Sequence, residues 1–156
     1  MKLEEAKKLA DEYNSIVKDK CFKIAFVGSI RRKKLEVNDI DIVIMPKWIS
    51  PFFVPEFIPQ DAEVIKSGIK LLSFIWKDTQ FDVYFATENT YETLVLIRTG
   101  SAEHNIKLCS IAKSKGWKLK ANGIGLLDKN DCIISNTEIG ILEALLGKYI
   151  PPEERE

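Results

Sequence analysis

Apolar residues recur at helical spacing near the start of the chain: Leu3, Ala6, Leu9, Ala10, Tyr13, Ile16 and Val17, with Glu and Lys between them. That spacing predicts an amphipathic helix over residues 2–19. The period then changes. Residues 23–27 form a short, partly β-branched run that halts at Gly28 and predicts a buried strand. Residues 39–46 alternate, with Asp39, Asp41 and Val43 on one face and Ile40, Ile42 and Ile44 on the other, which predicts a strand with one polar end. Residues 47–60 set Pro51, Pro55 and Pro59 among large apolar side chains and predict a loop. Segments 62–68, 69–76 and 80–86 predict further strands, the last two joined by a turn at Lys77-Asp78-Thr79.

A helical period returns at residues 91–98, with Asn89-Thr90 as its cap and Thr99-Gly100 as its end. Ser101 caps a second helix over 102–115 that stops at Gly116. Residues 117–135 predict a small hairpin turning at Asn122-Gly123, and Thr137 caps a last helix ended by Gly147. The tail, 149–156, reads as extended.

Composition narrows the function classes. A chain of 156 residues with 46% hydrophobic and 29% charged residues is neither disordered, collagenous nor a membrane bundle. No apolar run reaches the ~18–20 residues of a membrane span, so no membrane partner is expected. The amphipathic, partly acidic N-terminus is not a signal peptide. Basic and acidic residues tie at 23 each, so any nucleic-acid site must come from local charge segregation. Cys21, Cys109 and Cys132 are odd in number and far apart, and read as three half-buried thiols in a reducing, cytoplasmic compartment. Trp76 reads as core, and Trp48 with Phe52, Phe53 and Phe57 as a packed local cluster. The lone His104 reads as a surface or template-facing side chain.

Candidate chemistry concentrates in VGSIRRKKLEVNDIDIVI, residues 27–44. A Gly28-Ser29 turn follows a strand, and a short helix opening there would offer N–H groups and a hydroxyl to phosphate. Arg31, Arg32, Lys33 and Lys34 bring positive charge. Asp39 and Asp41, at i and i+2 of one strand, aim two carboxylates at one spot about 6.5–7 Å apart along the backbone. Two anions so placed repel unless a cation lies between them, and hard oxygens suit Mg²⁺. Asp82, in a strand flanked by apolar residues, needs a partner. Were its strand beside 39–46, three carboxylates would converge, as binding of two divalent cations requires. Residues 105–120 hold Lys107, Lys113, Lys115, Lys118 and Lys120 with no acid, a bias that could track DNA phosphates.

These blocks, GSIRR, NDIDIVI, QFDVYFA, RTGSAEHNIKLCSIAKSKGWKL and YIPPEERE, together resemble the X family of DNA polymerases, the polymerase-β-like enzymes, over nearly the whole chain. The layout is similar to the minimal viral members, without the N-terminal lyase region of larger ones. The resemblance implies an α+β fold with a nucleotidyltransferase palm at 1–90 and a small α/β C-terminal subdomain at 91–156. It implies a template-directed polymerase adding nucleotides to a primer 3′-hydroxyl by two-metal phosphoryl transfer, filling short gaps in DNA repair. The alternative is a different nucleotidyltransferase, template-independent or acting on RNA, protein or a small molecule. A non-catalytic nucleic-acid-binding module ranks last. Two divalent cations, Mg²⁺ or else Mn²⁺, are implied at Asp39, Asp41 and Asp82, with Asp82 on the side of the primer hydroxyl. Gly28, Ser29 and Arg32 are implied to bind the triphosphate, and Gly100, Ser101 and Asn105 the nucleotide. The implied partners are gapped or primer–template DNA and dNTPs, with the chain a monomer in the cytoplasm, or in the virion and host cytoplasm for a viral protein.

Three departures modify these expectations. The aromatic pair usual before Thr-Gly-Ser is here Ile97-Arg98, which leaves ribonucleotides as well as deoxyribonucleotides as expected substrates. Lys33 and Asn38 stand where many members have Gly. A basic residue that larger members carry upstream of the first helix is not evident.

Overall fold

The computed structural model of the chain describes residues 1–48, 50 and 52–156. Helix α1 (Leu3–Val17) ends in a 3₁₀ turn, Lys18–Lys20, and leads into β1 (Cys21–Phe26). A four-residue helix, α2 (Gly28–Arg31), separates it from β2 (Asp39–Pro46). Then come β3 (Glu63–Ser67), β4 (Leu71–Trp76) and β5 (Thr79–Phe85). The second half holds α3 (Tyr91–Thr99), α4 (Ala102–Ser114), β6 (Lys118–Lys120), β7 (Gly125–Leu127), β8 (Ile133–Ser135) and α5 (Glu138–Leu146). The fold is α+β: a five-stranded mixed sheet followed by a C-terminal part with its own three-stranded sheet.

The first sheet has the order β1-β2-β5-β4-β3, with β2 and β5 parallel and the other neighbours antiparallel. Its alternation sorts the two faces. Ile40, Ile42 and Ile44 of β2 and Phe81, Val83 and Phe85 of β5 lie buried with Ala6, Ala10, Tyr13 and Val17 of α1. The Tyr13 hydroxyl crosses this core to donate to the Phe57 carbonyl at 2.8 Å. The opposite face carries Asp39, Asp41 and Asp82. A second core, built on Leu96, Leu108, Leu126, Ile141 and Leu142, unites α3, α4, α5 and the three-stranded sheet β6-β7-β8. A smaller cluster of Val27, Val43, Ala86, Leu94 and Val95 presses α3 onto the polar face of the first sheet.

Several expectations need correction. The strand read as buried at 23–27 is an edge strand starting at Cys21, so its outer side stays wet and Phe22 is exposed. Ile16 also lies exposed, because α1 turns its buried stripe through Tyr13 and Val17. Lys77 and Asp78 both take positive φ, so the β4–β5 hairpin needs only two turn residues and Thr79 pairs with Trp76. Thr90 stands at the N-cap of α3 as expected, but its hydroxyl makes no capping bond and accepts instead from the Thr87 N–H. Ser101 and Thr137 do cap, accepting from the N–H groups of His104 and Gly140. Residues 117–135 form three strands rather than a hairpin. The loop read over 47–60 contains a 3₁₀ turn, Val54–Phe57, while Ile49 and Pro51 lie outside the described residues. Phe53 and Phe57 are buried against Phe85, whereas Trp48 and Phe52 are exposed and take no part in that cluster. Cys21 is buried and Cys109 and Cys132 are exposed, so none is half-buried. Among the described residues no helix is long and apolar enough to cross a membrane.

Candidate functional site

Parallel pairing of β2 with β5 does what neither strand can do alone. Asp41 stands opposite Asp82 in the register, and Asp39 opposite Gln80. All three carboxylates therefore issue from one face of two adjacent strands. Burial pushes the Asp41 carboxyl up to about 6, with the charges of Asp82 and Asp39 adding to it and Arg98 and Arg32 offsetting part. Asp39 is also raised, by burial and then by Asp82. The Asp82 carboxylate is engaged on its other side: Oδ1 accepts from Ser73 Oγ on β4 at 2.6 Å and from Gln80 Nε2 at 3.2 Å. Accordingly, among the described residues no group of three or more His, Cys, Asp or Glu side chains is gathered closely enough to hold a metal ion. The donor chemistry nonetheless suits hard divalent cations. Asp41 is a half-buried carboxylate crowded by two others, a setting that an added cation would relieve.

A cavity of about 470 Å³ opens beside these acids. Its walls include Gly28, Ser29, Arg32, Asp39 and Asp41 from the first half and Ile97, Arg98, Gly100 and Asn105 from the second. Asp82 and Ser101 are not among its lining residues; Asp82 is the register partner of Asp41 on β5, and Ser101 is spent on capping α4. Gly28 is dictated by close approach: its φ is +58°, and a Cβ there would collide with the Asp41 carboxylate. Gly100, at φ +71°, would bring a Cβ within 3.0 Å of Arg32 Nη1. Arg32 reaches across to donate from Nη1 to the Thr99 carbonyl at 2.5 Å, and its buried Nε has no partner. Asn105 donates from Nδ2 to the Ile97 carbonyl at 2.8 Å, leaving a buried Oδ1 unpartnered. Both residues line the cavity, and each keeps one buried polar atom without a partner. Arg98 is held over the Tyr84 ring at 4.1 Å, at the edge of the acidic face.

The four basic residues after Ile30 do not act as one patch. Arg31 turns away from the cavity to make a bidentate pair with Glu138 of α5 at 2.6 and 2.7 Å, and it also donates to Thr99 Oγ1 at 2.8 Å. Arg155 of the tail, fully buried, completes this network at 3.0 Å from Glu138. Burial alone would raise the Glu138 carboxyl, but the hydrogen bonds from Arg31 and Arg155 hold it below the usual carboxylate range. The tail read as extended thus contains a 3₁₀ turn, Pro152–Glu154, and ends in a buried ion network. Sequence reasoning missed it because EERE looks like a solvated run. His104 is likewise buried rather than surface or template-facing, with both ring nitrogens unpartnered. Burial and the Arg155 and Lys107 charges push it down to about 4. Lys107, Lys113, Lys115 and Lys118 are exposed and Lys120 half-buried. Lys107 and Lys113 stand about 120° apart around α4, so they form no single stripe, whereas Lys118 and Lys120 share one face of β6.

Comparison with known proteins bears on this site. The family described as DNA polymerase beta thumb matches residues 94–156. A DNA polymerase/3′-5′ exonuclease PolX of Bacillus subtilis is 31% identical over 140 residues, covering 86% of this chain and 24% of the relative. The chain thus spans about a quarter of that bacterial protein. Repair DNA polymerase X of African swine fever virus is 29% identical over 160 residues, covering 95% of this chain and 90% of the viral protein. Among solved structures, a ternary gap complex of Leishmania infantum polymerase beta superposes with a TM-score of 0.83 at 17% identity, covering 100% of this chain and 70% of that one. A ternary P/T complex of the same polymerase gives 0.81 at 18% identity, covering 100% and 76%.

Proposed function

The chain belongs to the polymerase-β-like X family of DNA polymerases and is related to its small viral members, and from that premise we propose that it extends a primer 3′-hydroxyl on a DNA template, filling short gaps in DNA repair. Family membership supports nucleotidyltransferase activity and DNA binding in general. The observation that carries the finer reading is the pairing of Asp41 with Asp82, with Asp39 two residues away, beside a cavity that Arg32 and Ser29 also line.

In this reading Arg32 and Ser29 hold the triphosphate, the arginine through its guanidinium and the serine through its hydroxyl. Gly28 lets that turn lie directly over Asp41, so the reacting phosphate and the acids meet at short range. Asn105 presents its unpartnered Oδ1 to the base-side edge of the nucleotide. Asp82 leaves its Ser73 and Gln80 contacts to take up the proton of the primer hydroxyl. Asp39, Asp41 and Asp82 would hold two divalent cations, Mg²⁺ or Mn²⁺, which when bound lower the hydroxyl pKa and offset charge on the leaving phosphate. Residues 1–90 then serve as palm, and 91–156 as the nucleotide- and template-binding part. Exposed Lys107, Lys113, Lys115 and Lys118, with Lys120, supply the phosphate contacts to DNA, and the chain works as a monomer.

The test is extension of a labelled primer on gapped, nicked, recessed and single-stranded DNA, with each dNTP and rNTP supplied separately. Template-matched addition on gapped or recessed DNA supports the reading. Addition independent of template, or none on any DNA, overturns it.

A further inference from the structure

Arg31, Arg32, Lys33 and Lys34 are consecutive, yet the backbone deals them to different partners. Arg31 grips Glu138, and Lys33 pairs with Glu153 at 3.5 Å. Arg32 and Lys34 both line the 470 Å³ cavity. The cause is local. Lys33 adopts φ +57°, and the Lys34 N–H donates to the Ser29 carbonyl at 3.0 Å, folding residue 34 back beside the Gly28-Ser29 turn. A second cation thereby joins Arg32 at the phosphate end of the site.

That cation already has an anion. The Lys34 ammonium bonds the Glu156 carboxylate, delivered by the tail whose Arg155 is buried next to it in sequence. The Lys34 hydrogen bond holds the Glu156 carboxyl below its ordinary range, and the charges of Lys34 and Arg32 reinforce it. Glu156 does not itself line the cavity, yet it holds a carboxylate against the ammonium of a lysine that does. Both members are substantially exposed, with 39% of the Lys34 and 57% of the Glu156 side chain accessible. Such pairs are weak, so a polyanion carrying several charges displaces this one readily.

We propose that Lys34 is a phosphate-binding residue of the nucleotide site, acting with Arg32, and that Glu156 is an internal stand-in for phosphate that leaves when a nucleotide enters. The inference rests on the reading of this cavity as a triphosphate site. The recognised group is a polyphosphate, so the effect must be the same for every base. It must also appear with a polyphosphate that has no base.

The test is calorimetric titration of inorganic triphosphate and of dATP into the wild-type chain and into Lys34→Ala, Lys34→Arg and Glu156→Gln, at low salt. Steady-state extension with each dNTP accompanies it. One lost charge-assisted contact corresponds to about tenfold weaker binding of both probes by Lys34→Ala. KM should rise about tenfold for all four dNTPs with kcat within about twofold. Lys34→Arg should retain most of the affinity, and Glu156→Gln should tighten both probes by about two- to fivefold. Equal binding by wild type and Lys34→Ala overturns the Lys34 assignment and leaves the polymerase reading intact. Unchanged affinity in Glu156→Gln overturns the stand-in. Failure of the wild type to bind either probe overturns the triphosphate reading and this inference together.

Discussion

Replacing Glu138 with alanine removes the acid from between two guanidinium groups. Arg155 is fully buried, Glu138 keeps 10% of its side chain accessible and Arg31 24%. Three hydrogen bonds, at 2.6, 2.7 and 3.0 Å, disappear at once. Arg155 Nη2 already lacks a partner, so the stranded cation has little to fall back on. Breaking a buried ion pair by removing one member costs about 3–5 kcal/mol. For a chain of this size each kcal/mol shifts Tm by about 2–4 °C, so Glu138→Ala should melt roughly 10 °C below wild type in a thermal or urea titration at pH 7. The pH dependence supplies a second check. The folded Glu138 carboxyl lies below its unfolded value, so its contribution is complete above about pH 4.3 and is lost as pH falls through the depressed folded value. The gap between wild type and Glu138→Ala should therefore begin to narrow once pH drops below about 4.3 and go on narrowing through the depressed folded value. Replacing Arg31, Glu138 and Arg155 together by apolar residues should cost far less than the single change. A loss under about 1 kcal/mol in Glu138→Ala at pH 7 would refute the reasoning, because that is the worth of a solvated surface pair.

Other outcomes follow from the same geometry. Asp41→Asn should abolish extension yet melt at or slightly above the wild-type temperature, since it removes a half-buried charge crowded by two others; a large stability loss would mean the carboxylate is structural. His104 is held neutral by burial and the Arg155 and Lys107 charges, with Glu138 opposing, so its folded value of about 4 lies below the ordinary histidine range. Stability should fall as pH drops from about 6.5 towards 4, and His104→Leu, measured by urea titration across that range, should flatten the slope; an unchanged slope contradicts the assignment. DNA affinity should decline steeply between about 50 and 200 mM salt in a filter or anisotropy assay, and a flat response would exclude lysine–phosphate contacts as its source. With Ile97 and Arg98 on the cavity wall in place of an aromatic pair, rNTP and dNTP efficiencies should lie within about tenfold in single-nucleotide extension, a difference near 1.4 kcal/mol; a thousandfold deoxy preference would show that some other residue guards the sugar.

Period and caps were legible because their causes are local. The alternation in DIDIVIMP is visible in eight residues and appears intact in β2, acids on one face and isoleucines on the other. Ser101, Thr137 and Gly147 sit at the helix ends their chemistry favours. Reading the Gly28-Ser29 turn and the Asp-x-Asp strand as one candidate site needed only the eighteen residues 27–44. Errors arose wherever the answer depended on a distant neighbour. Residues 23–27 look buried until the sheet order puts β1 at an edge. Trp48 and Phe52 look like core until Phe53 and Phe57 take the places beside Phe85.

The sequence by itself determined which residues carry charge and which face of each element they occupy, since a period of two or 3.6 is a property of a few consecutive residues. Tertiary structure alone decided which of those residues meet. Asp41 faces Asp82 because β2 and β5 pair in parallel with one register, and a shift of one residue would have sent the acids to opposite faces. Arg31 reaches Glu138 across 107 residues of chain, and Arg155 turns inward only because that acid is already buried there. A charged side chain reads as solvated in isolation, and only a partner brought by the fold makes its burial favourable.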